Sequence, residues 1–442
     1  MSNSQATAPV ERRQTIEKFG LESVPVELRK TSWKEYFIIQ AAFSVNSGNF
    51  LVPALAVIEG GLSFYAAIIS TVLGAAIAFL FVSILSLPGA NNGIPAQYAV
   101  RSMIGIKPAR FFASPVRTIT SLYWFAVQTI GGSYVLVGIL RDHFHISLPI
   151  LPVSIIFGLI MAILALIGFN AVKNATKMFL PILLVGQGII LFLFITTPNH
   201  SSTVLFEKGS WNIGMMCFFA SLAFVQYISG VSSSSDMTRY AASPRHGFWG
   251  LYSGNLIGFG MTAVLGAFAA TYSQEWNPFI SASQLTNSTA AVFLILLCAM
   301  VSMLSINLSN AYTGGFSLLN IFPSLGRVKS AIIFGVFAII LSAFPTFVDE
   351  AKHFISLLGA VIIPLSAVLI TDFIWVKKQA LALKDLEVLV DHSYQHNKQS
   401  IICIVLGVFL YISIPDQFSP GFITFLIISF TYFLFKRLYN KV

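Results

Sequence analysis

The sequence predicts an all-α integral membrane protein of 12 transmembrane helices, built as a five-plus-five inverted repeat. Three observations carry this prediction. The chain holds too little charge for a water-facing globule. Apolar stretches of spanning length recur along it, with Lys and Arg gathered on one side. Two of those stretches, five apart, carry matched polar interruptions.

Of 442 residues, 56% are hydrophobic and 10% charged, and the mean hydropathy is +0.80. A soluble domain carries about 25% charged residues because its surface must be solvated. A chain this poor in charge needs lipid as its solvent. About 20 apolar residues in a helix cross roughly 30 Å of hydrocarbon. The runs are continuous rather than alternating, which predicts helices and not barrel strands, since helices satisfy their own backbone polar groups. The expected spans are 35–58, 63–87, 111–140, 148–170, 175–197, 211–235, 246–272, 288–320, 329–347, 353–376, 399–414 and 420–436.

The net charge of +9 is dispersed among short loops rather than set in one stripe, which argues against nucleic acid as a partner. With the spans above, 23 of the 26 Lys and Arg residues fall on one side, leaving Arg141, Lys208 and Lys352 on the other. Such an asymmetry places both termini in the cytoplasm, in the inner membrane of a cell. The polar opening, with Arg12, Arg13 and Lys18, reads as a cytoplasmic tail over 1–34 and not as a cleaved signal. The first repeat is expected over 35–200 and the second over 211–376. A cytoplasmic loop over 377–398 and two further spans within 399–442 follow. Cys217, Cys298 and Cys403 lie in apolar stretches without metal-ligand spacing and read as small hydrophobes.

Span 1 is interrupted by Ser44-Val45-Asn46-Ser47-Gly48-Asn49, with Pro53 beyond, and span 6 by the run Ser229 to Ser235 before Asp236. Non-helical backbone at membrane depth persists only where it is buried in protein or lines a cavity. Paired broken helices in corresponding positions of two halves point to a repeat with the binding site between them. The alternative is that Ser and Gly merely let helices pack closely.

In span 3, Trp124 and Gln128 stand four residues apart and so project from one helical face. A planar heterocycle needs an apolar plate to stack on and an amide to read its edge, and Gln offers both donor and acceptor. Uncharged amides also avoid the cost of an unpaired charge in the membrane. Gln226 and Tyr227 precede the span 6 break, and Tyr227 is positioned to supply a second plate. Asn46 and Asn49 lie in the span 1 break. Span 8 carries Ser302, Ser305, Asn307, Ser309 and Asn310, followed by Tyr312 and Thr313. Hydroxyls along one helix beside carbonyls freed near Ser44 are what a Na⁺ site requires, because hard cations take oxygen ligands. Ser305 and Ser302 are the candidates.

The acidic residues, Asp236 and Asp372 among them, fall at expected span ends or loops, and His143, His145 and His246 in loops. There is no carboxylate pair, no HExxH, no Gly-x-Ser-x-Gly and no Walker sequence, so neither membrane-embedded catalysis nor ATP hydrolysis is expected. No cofactor is expected beyond a coupling ion.

Five motifs in order resemble the nucleobase–cation symporters of the cytosine permease, purine permease and hydantoin transporter kind. They are Gly93-Ile94-Pro95-Ala96-Gln97-Tyr98, Trp124-x-x-x-Gln128, Asp236-Met237-Thr238-Arg239-Tyr240, Asn310-Ala311-Tyr312-Thr313-Gly314-Gly315 and Pro364 to Phe373. The resemblance covers residues 35–440 and implies the LeuT-type inverted repeat with broken helices 1 and 6. It also implies a ring held between an aromatic of span 3 and one of span 6. The span 6 position nine before Asp236 is Tyr227, where the hydantoin transporter has Trp and the bacterial cytosine permease Phe. By the same resemblance Gln128 and Asn310 contact substrate, with Asn307 a register alternative. In Na⁺-coupled members two adjacent span 8 hydroxyls help hold the ion. Here that pair reads Leu304-Ser305, so one hydroxyl is missing and the ion is Na⁺ or H⁺.

The expected function is secondary symport of a nucleobase or related planar heterocycle: cytosine, a purine, a hydantoin or a thiamine precursor. The alternative is an amino-acid or amine transporter of the same fold. A passive channel would show a repeated pore ring, and an embedded enzyme buried catalytic groups. The chain can work as a monomer.

Overall fold

A computed structural model describes residues 19–165, 168–196, 209–390 and 393–439. Arg12, Arg13, Lys18, Lys208 and the expected boundary between repeats near residue 200 lie outside the described residues.

Among the described residues, nine helices are long and apolar enough to cross a membrane, or up to ten if a bent pair counts as one span. That pair is span 1, whose halves Trp33–Ser44 and Ser47–Ile58 meet at 57°. Two shorter apolar helices, Ile150–Ile163 and Lys398–Ser413, stand where spans 4 and 11 were expected. The remaining spans are Phe64–Ile84 (2), Ser114–Phe144 (3), Phe169–Thr196 (5) and Ile213–Ile228 with its continuation Ser234–Thr238 (6). Pro244–Ser273 (7), Thr289–Ile321 (8), Gly326–Leu341 (9), Ala351–Thr371 (10) and Pro420–Tyr439 (12) follow.

Local chemistry sets the helix ends. Ser32 caps span 1 in a reciprocal capping box with Glu35. Ser63, Ser243 and Ser288 each accept a bond from a backbone N–H of the helix they begin. Between spans 2 and 3, Gly93 takes φ 68°, and the amphipathic helix Ala96–Ile104 turns the chain.

The packing repeats itself when each span is exchanged for the one five places along. Span 1 packs on span 7, and span 6 on span 2. Span 3 packs on span 8 and span 4 on span 9, each pair mapping onto itself, while span 1 on span 5 maps to span 6 on span 10. This exchange symmetry is the contact signature of the LeuT-type inverted repeat. Spans 11 and 12 pack on span 10, outside the repeat.

The end of the bundle next to the N-terminus is strapped shut by residues 20–31. Val24 N donates to Gly93 O at 3.0 Å, and Arg29 donates to the Val24, Asn91 and Asn92 carbonyls at 2.9, 3.0 and 3.0 Å. Thr31 N donates to Tyr240 O at 2.9 Å, and Ala242 N to Thr31 O at 3.0 Å. Arg239, fully buried, donates to the carbonyls of Gly20, Glu22 and Gly93.

The charge pattern differs from the expected one in one respect. Arg101, Arg117, Arg239 and Arg327, all counted as loop charges, are buried. Arg101, Arg117 and Arg239 donate to carbonyls, an amide and a hydroxyl inside the protein, and Arg327 lies over the rings of Tyr312 and Phe316, so they report packing as well as topology. Asp236 and Asp372 are likewise buried rather than solvated. His143 and His246 belong to helical turns of spans 3 and 7.

Close approach of backbones limits what the helices tolerate. A Cβ built on Gly74 of span 2 would lie 1.9 Å from Ala220 O of span 6, whereas one on Gly138 meets nothing within 4 Å. Gly74→Val should therefore destabilise by about 1–3 kcal/mol, read as a lower unfolding temperature in detergent. Gly138→Ala should be neutral or stabilising by about 0.5–1 kcal/mol. Equal unfolding temperatures for the two variants would show that spans 2 and 6 are not in backbone contact.

Candidate substrate site

The site begins with the broken backbone. Val45 and Asn46 leave the helical region (φ −84°, ψ 87° and φ −152°, ψ 161°), and Asn46 becomes the N-cap of the second half of span 1. Its Oδ1 accepts from Asn49 N at 3.0 Å, and its Nδ2 donates to Phe43 O at 2.6 Å. Asn49 Nδ2 donates to Ser44 O at 2.7 Å. Two asparagines thus replace the helical hydrogen bonds that the break removes. Pro53 has no N–H to return to the carbonyl of Asn49, which keeps this turn open.

Neighbouring spans complete the repair. Gln128 of span 3 donates from Nε2 to Asn46 Oδ1 at 2.6 Å, and its Oε1 accepts from Gly48 N at 3.2 Å. Gln226 of span 6 donates to Gly48 O at 3.2 Å and Asn49 Oδ1 at 3.3 Å. A Cβ at position 48 would sit 2.4 Å from Gln128 Nε2, so any larger residue there would push this amide off the break. Gln226 Oε1 is buried without a partner.

The interruption in span 6 is gentler. A 3₁₀ turn over Ser229–Ser232 leads through Ser233 (φ −139°) into the short helix Ser234–Thr238. Its serines bond back to their own backbone, Ser232 Oγ donating to Ser229 O at 2.9 Å. Beyond it, Asp236 Oδ1 accepts from Ala96 N at 2.7 Å, capping the amphipathic helix, and Gln97 Nε2 donates to Ser232 O at 2.8 Å.

Between the two interruptions lies a cavity of about 150 Å³. Trp124, Gln128, Gln226, Tyr227, Asn310, Asn46 and Asn49 all line it. Trp124 is half-buried with its ring edge-on to Tyr123 (5.1 Å). Tyr227 is held by Phe79 and Phe259, with ring centroids 4.7 and 4.9 Å away, and its hydroxyl is buried without a partner.

Three expected residues stand elsewhere. Asn307 is turned away from the cavity: Nδ2 donates to Phe125 O and Thr129 Oγ1, both at 3.1 Å, and Oδ1 accepts from Asn310 at 3.0 Å. It fastens span 8 to span 3 and orients Asn310. Ser302 Oγ donates to Ala299 O in its own helix at 2.8 Å. Ser305 is fully buried and its hydroxyl has no partner. Neither serine lines the cavity.

Sequence reasoning missed Arg117. It lies two turns before Trp124 on the same face of span 3, lines the cavity and is 7% exposed. It donates to Thr313 Oγ1 at 2.9 Å and to Ser229 O at 3.4 Å, and its Nε is unpartnered. The seven-residue spacing from Trp124 was the available signal. Gln40 and Asn255 were also missed; Asn255 Oδ1 accepts from Ser44 Oγ at 3.3 Å.

A second, larger cavity of about 920 Å³ opens at the face opposite the strap. It is lined by Tyr134, Trp276 and a mainly acidic set that includes Glu59, Asp142, Glu275 and Asp349.

A family model described as "Permease for cytosine/purines, uracil, thiamine, allantoin" matches residues 23–434. The chain belongs to that family, and it is a multi-pass membrane transporter rather than an enzyme. Among curated proteins, it is 23% identical over 343 residues to a hydantoin permease of Microbacterium maritypicum, covering 72% of this chain and 68% of that one. Among solved structures it is similar to the transporter Mhp1, of the nucleobase-cation-symport-1 family, in a closed conformation with bromovinylhydantoin bound. That match has a TM-score of 0.80 at 18% identity, over 94% of this chain and 95% of that one. A Na⁺-coupled sialic acid symporter, in a substrate-bound outward-open state, matches with a TM-score of 0.69 at 14% identity, over 96% and 93%. These likenesses agree with the fold derived from the packing.

The amide repair of span 1 is directly testable. Asn46→Ala removes a helix cap, typically worth about 1 kcal/mol, and leaves Gln128 Nε2 without its acceptor. In a double-mutant cycle with Gln128→Leu, unfolding in detergent should show a coupling of about 0.5–3 kcal/mol, as expected for residues in one network. Strictly additive losses would show that the two amides act independently.

Proposed function

We propose that this member of the cytosine and purine permease family imports a nucleobase-sized planar heterocycle by ion-coupled alternating access. The observation that carries the reading is the cavity between the interrupted spans, with Trp124 and Tyr227 in its walls and amides around them. A flat ring with polar edges suits such walls, because aromatic faces take its surface and amides take its rim. An amino acid or amine calls for a carboxylate or a free helix end, and no Asp or Glu is among the described residues that line the cavity. Trp124, Gln128, Gln226, Tyr227, Asn310, Asn46 and Asn49 form the substrate shell in this proposal, Gln128 acting chiefly by holding the span 1 break in shape.

The coupling ion in this proposal is Na⁺, bound where span 8 packs against both halves of span 1. Support comes from Ser305, a buried hydroxyl with no partner, on the helix facing the broken backbone. Bound there, Na⁺ would tie span 8 to the break and favour the substrate-ready form. By linkage, substrate then tightens Na⁺ binding by the same factor. Glu35 is a poor proton carrier by comparison, since it is engaged in the capping box and in ion pairs with Lys173 and Lys177. With both termini in the cytoplasm, the strapped end faces the cell interior and the larger cavity faces outward.

Equilibrium binding of uracil, cytosine, purines and hydantoins to purified protein, in Na⁺ and in choline at fixed pH and ionic strength, tests both parts. A ring from this panel should bind, and more tightly in Na⁺. Equal affinity in choline, with uptake following an imposed pH gradient, would replace Na⁺ by the proton. Trp124→Ala should weaken binding by about 1–3 kcal/mol, the scale of base–aromatic stacking. Unchanged affinity in that variant would remove the stacking role.

A further inference from the structure

The cavity contains one charged side chain among its described lining residues, and that side chain is Arg117. It is buried and forms no ion pair within salt-bridge distance among the described residues. The nearby carboxylate, Asp236, sits behind the lining with Oδ1 on Ala96 N and Oδ2 unpartnered. Thr313 Oγ1 and Ser229 O take two of the guanidinium's five N–H donors, and Nε is left without an acceptor. An arginine has donors and no acceptor, so the only ligand atoms it rewards are oxygens or ring nitrogens with free lone pairs. A buried donor left unmet is costly, which favours a ligand that supplies the missing acceptor.

The surrounding polar groups fit the same edge. Asn310 lies on the span that carries Thr313, and Ser229 and Gln226 lie on the other side of Arg117, all lining the same cavity. A cationic ring entering here would stand beside a fixed positive charge with no lining carboxylate to offset it, in a medium that screens poorly.

We infer that Arg117 makes the site selective for neutral or anionic rings that turn a lone-pair edge toward it, a carbonyl oxygen or an unprotonated ring nitrogen. Permanently cationic rings such as thiamine are excluded. The inference rests on the reading of the cavity as a planar-heterocycle site, and it divides the family's cargo range in two. Arg117 is then a specificity-determining residue, set one step below the stacking plates.

Binding of uracil, hypoxanthine, cytosine, adenine and thiamine to the purified full-length protein tests it. At least one of the four neutral rings should bind, and thiamine should show no saturable binding. In Arg117→Gln the affinity for that ring should fall at least ten-fold and its margin over thiamine should shrink, whereas Arg117→Lys should keep the exclusion of thiamine. Thiamine binding comparable to the neutral rings in the wild type would overturn the inference without any variant. So would an Arg117→Gln protein that binds the neutral ring with unchanged affinity and still excludes thiamine. Silence from all five rings would overturn the planar-heterocycle reading itself, and this inference with it.

Discussion

The rest of the structure depends on one constraint: backbone polar groups freed inside a membrane must find partners within the protein. Span 1 opens at Val45–Asn46, and each lost helical bond is replaced from a different direction. Asn46 and Asn49 serve the first half and the turn, Gln128 comes from span 3, and Gln226 from span 6. These four amides hold the break open and line the cavity beside it. Cavity wall and helix repair are therefore built from the same side chains.

Charge is handled by the same economy. The buried arginines meet carbonyls, amides and rings rather than acids: Arg101 donates to Asn320, Arg239 to three main-chain carbonyls, and Arg327 lies over Tyr312 and Phe316. Such bonds hold guanidinium groups where a carboxylate would have to be desolvated as well. Arg117 stands apart because it does this at the wall of the cavity. Asp236 stays outside the cavity lining, with Oδ1 on Ala96 N and Oδ2 unpartnered.

Much of the fold was legible in the sequence because a bilayer enforces simple rules. Span length, the Lys and Arg asymmetry and the paired breaks are each direct consequences of lipid as solvent. The exchange pattern of contacts agrees with the inverted repeat those breaks implied. Span 11 has the length expected of it, but like span 4 it is a shorter apolar helix than the other spans, and the count of spans rests on composition there. The cavity wall was legible where residue type alone restricts chemistry, as for Trp124, Tyr227 and the amides that line it. It was less legible where the same residue type serves two ends. Asn307 and Asn310 are one turn apart and chemically identical, and only the packing of span 8 on span 3 tells that the first faces the neighbouring helix. Arg117 was hidden for the opposite reason. A basic residue near a helix end reads as a loop charge, and its depth depends on a helix that begins at Ser114 and carries it inward.

The segment over residues 20–31 ties the two halves of the repeat together at one end of the bundle. Its main chain bonds to Gly93 and Tyr240, and its Gly20 and Glu22 carbonyls accept from Arg239, so it joins the loop after span 2 to the loop after span 6. Any motion that parts those loops must first peel the strap, and peeling breaks hydrogen bonds far from the cargo. The strap thus joins the two loops through bonds that share no residue with the cavity lining. Substitutions along residues 20–31 therefore alter this junction while every residue of the cavity wall stays in place.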